Sequence, residues 1–237
     1  MTHIEQRDGG HGHQHGRGHE DEHGDGIEDI QFTREFWDDR YGSAERLWSG
    51  NPNHQLVAQL TGLTPGEALD AGCGEGADAI WLAGLGWQVT AVDVSPVALG
   101  RGAAAAARRG AEIAARITWQ PADLLSWVPP AERFDLVSAQ FMHLPRPAYA
   151  DLIARLATGV RAGGTLLVVG HHPDDLHHNL GRKEQLESHF VAAEDLAATL
   201  GAQGWEIGFA GAVTRPQTDL DGQVVSATDS VLRAIRP

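Results

Sequence analysis

Acids and glycines carry the first chemical signal in this chain. Ala68-Leu69-Asp70-Ala71 is an apolar run with one acid inside it, and it passes straight into Gly72-Cys73-Gly74-Glu75-Gly76. Alternate glycines let the backbone turn tightly and approach a ligand that any Cβ would obstruct. The spacing G-x-G-x-G is not the G-x-G-x-x-G that seats a dinucleotide pyrophosphate on a helix N-terminus. A ligand ammonium, which needs a carboxylate and carbonyl acceptors, suits Asp70 better than a phosphate does. A glycine turn serving only chain reversal would not need that acid.

A second acid, Asp93, ends the run Val89-Thr90-Ala91-Val92-Asp93, seventeen residues past Gly76. That is the separation expected of a carboxylate accepting hydrogen bonds from the vicinal hydroxyls of a ribose. Asp93-x-Ser95-Pro96 is also a helix-start signal, with Ser95 as N-cap and Pro96 at the first helical position, and both roles can hold at once. The third acid, Asp123 in Pro121-Ala122-Asp123-Leu124, can accept from an adenine amino group or cap a helix.

Histidines form the next group. His143 follows Gln140-Phe141-Met142, and an imidazole with an ordinary pKa near about 6.5 can serve as a base or simply start a helix. His171, His172, His177 and His178, with Asp174 and Asp175, fall on a loop after the fifth apolar run. They can hold a metal or an anionic substrate, or form a polar lid, and their spacing matches no standard metal site. Six more histidines, at 3, 11, 13, 15, 19 and 23, stand among glycines and acids, a composition that can bind transition metals weakly without folding.

These residues need elements to position them. After Thr64-Pro65-Gly66 short apolar runs alternate with helix-like stretches, the pattern of βαβ units with parallel strands and right-handed crossovers. Strands are expected at Glu67–Ala71, Gln88–Asp93, Arg116–Gln120, Phe134–Gln140, Gly164–Gly170, Trp205–Gly211 and Val224–Arg233, with helices between the first five. The last two follow without a helix and are expected to form a hairpin that ends the sheet with an antiparallel strand. The fold class is therefore α/β, a doubly wound, mostly parallel seven-stranded sheet with helices on both faces. Residues 1–26 have almost no apolar side chains and are expected to be a disordered tail. Residues 27–64 carry aromatics at near-helical spacing, among them Trp37, Tyr41 and Trp48, and read as a helical segment beside a domain spanning 65–237.

A net charge of -14 disfavours nucleic acid and anionic membranes as partners and leaves a small molecule. Arg101, Arg108, Arg109 and Arg116 form a local basic patch that reads as a solvated helix face. A single cysteine, Cys73, excludes an internal disulfide. With no signal-peptide pattern and no apolar run of about 18 residues, a soluble, cytoplasmic protein is expected.

The run LDAGCGEGADAIWLAGLGWQVTAVDVSPVAL, followed by PADL, FDLVSAQFMHL and RAGGTLLVV, resembles the class I S-adenosylmethionine-dependent methyltransferases, whose sheet is Rossmann-like. FWDDRYGSAERLWSGNPN is similar to the N-terminal lid of the branch that includes tellurite-resistance and thiopurine methyltransferases. The resemblance implies S-adenosyl-L-methionine as methyl donor, with no metal required. It implies Asp70, Gly72, Cys73 and Gly74 around the methionine moiety, and Asp93 and Val94 at the ribose. Asp123 and Leu124 would flank adenine, and Gln140 would line the methyl-transfer face. His143 is the candidate catalytic base, and Trp37, Tyr41, Trp48, His171 and His172 are candidates for the substrate side and lid. No Asn/Asp-Pro-Pro-aromatic motif is present, which disfavours methylation of DNA base amines. Alternatives from other classes are a nicotinamide-dependent oxidoreductase and a non-catalytic metal-responsive protein on the same fold.

Overall fold

A computed structural model describes residues 33–44, 46–142, 144, 146–173, 191–218 and 223–237. The histidine-rich tail, His143 and the loop from Asp174 to His178 lie outside the described residues, as does Phe32.

Helices α1 (Arg34–Gly42) and α2 (His54–Gln59) precede β1 (Glu67–Ala71), α3 (Ala77–Gly84), β2 (Gln88–Asp93), α4 (Pro96–Arg109), α5 (Ala111–Ala115) and β3 (Ile117–Pro121). There follow β4 (Phe134–Gln140), α6 (Arg146–Thr158), β5 (Val160–His171), α7 (Ala193–Ala202), β6 (Glu206–Thr218) and β7 (Val224–Ile235). The strands form one seven-stranded sheet in the order β3-β2-β1-β4-β5-β7-β6. The first five pair in parallel, and β7 pairs antiparallel with both β5 and β6. The strand order reverses between β1 and β4, the switch point at which open α/β sheets bind their ligands.

Alternation along the strands puts two cores on the two faces. Ala68, Ala91, Leu136 and Leu167 pack with α2, α3 and α4 on one side. Leu69, Ala71, Val92 and Val137 pack with α6 and α7 on the other. Sequence periodicity foresaw this doubly wound arrangement, with β1, β2 and β4 at the expected residues.

Three expectations change. No helix joins β3 to β4. Asp123 instead nucleates a turn, its Oδ1 accepting from Leu125 N at 2.9 Å and its carbonyl from Trp127 N at 2.8 Å, and Pro129-Pro130 supplies no amide donors to continue a helix. Strand β5 starts earlier than expected because a register shift opposite Phe134/Leu136 lets the chain pass through Gly163, at φ 74°, without leaving the ladder. The final hairpin runs longer, and β7 sits inside the sheet while β6 takes the edge.

Candidate functional site

The three acids meet the glycine turn at the carboxyl ends of β1, β2 and β3. Asp70 lies in the centre of the sheet, opposite Ala91 on one side and Ser138 on the other. The turn leaves β1 through Gly72 and Cys73, whose amides both donate to Val92 O, at 2.8 and 3.0 Å. Gly74, at φ 53°, donates its amide to Asp93 Oδ2 at 2.8 Å. A Cβ on Gly74 would come within 2.8 Å of the Tyr41 hydroxyl, so this position is glycine because of both its backbone angle and the ring above it.

Gly76, at φ 77° and on the cavity wall as the turn reading expects, has a packing role as well. A Cβ there would overlap the Trp119 ring at 2.3 Å, and one on Gly102 of α4 would do so at 2.6 Å. Trp119 on β3 is therefore wedged between the turn and α4, and the third glycine makes room for packing.

Asp93 is 8% exposed and accepts from Gly74 N and from Ser95 N, the latter at 2.9 Å. Ser95 caps α4 by accepting from Ala98 N at 3.1 Å and donates its hydroxyl to Asp38 on α1 at 2.5 Å. That bond holds the Asp38 carboxyl below its usual range and fastens α1 to the end of β2.

Two acids that the sequence reading did not single out complete the arrangement. Glu75 Oε2 accepts from the amides of Leu47 and Trp48, at 3.1 and 3.2 Å, and its Oε1 pairs with Arg101 at 3.2 Å. Asp78 Oδ1 accepts from Asn53 N at 2.6 Å. Segment 47–53 is thereby bonded through its backbone to the glycine turn and the start of α3. Trp48 Nε1 also donates to the Tyr41 hydroxyl at 3.1 Å. The only sequence signal for this was two acids placed within the turn and the first turn of its helix, since partners more than twenty residues away cannot be read from spacing.

These contacts surround a cavity of about 1650 Å³. Its wall includes Gly72, Cys73, Gly74, Asp78, Asp93, Val94, Asp123, Leu124 and Gln140 from the sheet side, and Trp37, Tyr41 and Trp48 from the N-terminal segment. His171 is part of the wall, its ring centroid 4.7 Å from that of Phe141. His172 is not, and its amide donates to Thr228 O at 3.0 Å. Met142 and Leu144, the residues flanking His143, also line the cavity. Of the basic patch, Arg101, Arg108 and Arg109 border it, whereas Arg116 donates to Ala83 O.

Burial sets the electrostatics. Burial pushes Asp70 well above the usual carboxylate range, and the charges of Asp78 and Asp93 push it further against a hydrogen bond with the Ala79 backbone. Burial raises Asp78 to about 6, opposed by its bond with Asn53. Asp93 is raised by burial too, opposed by the amides of Ser95, Gly74 and Val94. Burial and these same anions lift the Cys73 thiol well above its ordinary value, so it is not a nucleophile at neutral pH. Asp70 Oδ2 has no hydrogen-bond partner among the described residues. Buried carboxyls crowded together, one with an unpartnered oxygen, favour a cation beside them, because its charge offsets the cost of ionising them. Among the described residues no cluster of three or more His, Cys, Asp or Glu side chains can hold a metal ion, and no helix is long and apolar enough to cross a membrane.

Comparison with known proteins agrees with this geometry. Residues 68–164 match the family model described as a methyltransferase domain. The trans-aconitate 2-methyltransferase of Sinorhizobium medicae is 35% identical over 148 residues, 60% of this chain and 53% of that protein. The ribosomal RNA small subunit methyltransferase C of Alcanivorax borkumensis is 38% identical over 112 residues, 45% of this chain and 33% of that protein. The chain thus aligns with between a third and about half of these curated relatives. Among solved structures, one from work on the conversion of a disulfide bond into a thioacetal group during echinomycin biosynthesis superposes with a TM-score of 0.68 at 25% identity, covering 86% of this chain and 91% of that one. TehB from Haemophilus influenzae superposes at 0.62 with 19% identity, covering 85% of this chain and 67% of that one, a likeness of fold. Residues 68–164, which hold the glycine turn between β1 and α3, thus carry a methyltransferase domain, on a sheet like that of the S-adenosylmethionine-dependent methyltransferases.

Proposed function

We propose that this protein transfers the methyl group of S-adenosyl-L-methionine to a small organic acceptor. The observation that carries the reading is the acid ring of Asp70, Asp78 and Asp93 around the glycine turn, with Asp70 Oδ2 unpartnered among the described residues. The donor bears a sulfonium and an ammonium against one carboxylate, a net cation, and the ring supplies what it lacks. A nicotinamide dinucleotide would bring a doubly charged pyrophosphate toward the same acids, which Coulomb repulsion disfavours.

In this reading Asp70 and the Gly72–Gly74 backbone hold the amino-acid end, Asp93 and Val94 the ribose, and Asp123 and Leu124 the adenine. The bound donor supplies an already activated methyl group, so the protein has mainly to orient the acceptor and exclude water. Gln140, Phe141 and Met142 face the acceptor, and His143 takes the proton where the acceptor is a hydroxyl. Residues 27–64 act as a lid, a role supported by the bonds from Asp38, Leu47, Trp48 and Asn53 to the cofactor side. A small acceptor is favoured by the overall charge and by the named activity of the trans-aconitate relative.

Calorimetry with S-adenosylhomocysteine and NADH tests the donor, and only the first is expected to bind. Incubation of the protein with a metabolite extract and labelled donor tests the acceptor, through the compound that gains the label. Binding of NADH and not of S-adenosylhomocysteine would overturn the reading.

A further inference from the structure

Arg215 carries the strongest unassigned signal in the molecule. It stands on β6 at the wall of the cavity that Phe141, His171 and Gln140 also line. Its Nε pairs at 2.8 Å with Asp229 of β7, a carboxylate only 1% exposed that also accepts from buried Gln55 Nε2 at 3.0 Å. Asp229 lies opposite His171 in the β5–β7 ladder. The pair is made through Nε, which leaves the paired Nη edge of the guanidinium out of that contact. The fork's carbon lies 5.9 Å from the centre of the Phe141 ring, within range of a cation–π contact.

The remaining arginines around the cavity are engaged or distant. Arg101 is tied to Glu75 and Arg46 donates to Ser49 O. Arg108 and Arg109 sit on α4, which packs on β2 and β3 at the end of the sheet opposite β6. Among the described residues, Arg215 is thus the arginine on the cavity wall at the β6 edge of the sheet.

Two further observations mark this corner as a binding surface. Phe141 holds φ 48°, a backbone conformation that costs energy for a residue with a side chain, and its amide donates to Val169 O at 2.7 Å. Gln140 gives its Nε2 to Ser138 Oγ at 2.7 Å, and its Oε1 is buried without a partner among the described residues. An unmet acceptor atom calls for a ligand O–H or N–H.

We propose that Arg215 is the specificity-determining residue of the acceptor pocket, taking the carboxylate, or an equivalent planar oxyanion, of the methyl acceptor. Asp229 orients the guanidinium as buried partners orient a bidentate fork. The acceptor's flat body lies along Phe141 and His171, and its O–H or N–H meets Gln140 Oε1. This deepens the methyltransferase reading and rests on it.

The test titrates cinnamate, salicylate and fumarate, each against its uncharged amide, into the full chain saturated with S-adenosylhomocysteine. At least one acid is expected to bind tenfold or more tightly than its amide. Arg215→Gln is expected to abolish that preference while S-adenosylhomocysteine affinity stays within twofold. Should the single variant unfold because it strands Asp229, Arg215→Gln combined with Asp229→Asn removes both charges and keeps the hydrogen-bonding groups. Equal binding of acids and amides, binding of neither, or a preference that survives the substitution overturns the inference. Failure of S-adenosylhomocysteine itself to bind the unaltered chain sinks the parent reading and this one with it.

Discussion

Asp93 has structural work besides the ligand role proposed for it, because its two oxygens accept from Gly74 N and Ser95 N while the residue lines the cavity. An amide in its place keeps one acceptor oxygen and turns an N–H toward a donor. Asp93→Asn is therefore expected to lower the unfolding free energy by about 1–3 kcal/mol, the range for a lost hydrogen bond to a charged group. It should weaken donor binding by a similar amount, read by thermal denaturation and calorimetry. A variant with unaltered Tm and affinity would contradict both roles. For His143, between the cavity residues Met142 and Leu144, general-base catalysis predicts that His143→Ala slows transfer to a hydroxyl acceptor by roughly 10²–10⁴-fold. Donor affinity should hold within twofold, and equal rates across pH 6–9 would remove the residue from the mechanism.

Among the elements, the sheet was legible because strand–helix alternation and the acids at strand ends are local patterns. Asp70 and Asp93 could be placed on β1 and at the end of β2 from the sequence pattern alone. The contacts of Glu75, Asp78 and Arg215 could not be read that way, since their partners Leu47, Asn53 and Asp229 reach them only once the chain has folded. The packing role of Gly76 was hidden for the same reason: its motif position suggested only the turn and a ligand, and Trp119 from β3 reaches it only in the folded chain. The hairpin was read correctly as antiparallel, but a strand's place in a sheet depends on long-range pairing, which put β7 inside. A consequence for the lid follows from Glu75, which holds the Leu47 and Trp48 amides over the turn. Glu75→Ala should release that segment, raising the dissociation rate of S-adenosylhomocysteine about tenfold, or 1.4 kcal/mol of barrier. Stopped-flow displacement measures it, and an unchanged rate would mean that 47–53 does not close over the ligand.

Over the whole molecule, a chain of net charge -14 concentrates buried carboxyls around the glycine turn, where the proposed function puts a cation, at a cost to its own stability that varies with pH. Asp78 rises to about 6 and Asp70 and Asp93 are raised as well, so the folded chain binds more protons than the unfolded one between about pH 4 and 6. The stabilising effect of the protonated acids is present below the unfolded carboxylate pKa and is lost as pH climbs through the folded one. Asp78→Asn, whose side-chain oxygen can still accept from Asn53 N, is accordingly expected to raise the Tm of the ligand-free protein at pH 8 and to raise it by much less at pH 4.5. Donor binding has the opposite sense, because a cation favours the ionised acids. Affinity for S-adenosylmethionine should fall roughly tenfold, about 1.4 kcal/mol, from pH 7.5 to 5, with protons released on binding near pH 6. S-adenosylhomocysteine lacks the sulfonium charge, so its affinity should change less over the same interval. Calorimetry of both ligands in buffers of differing ionisation enthalpy separates the two terms, and identical pH profiles would show that the acids do not sense the sulfonium.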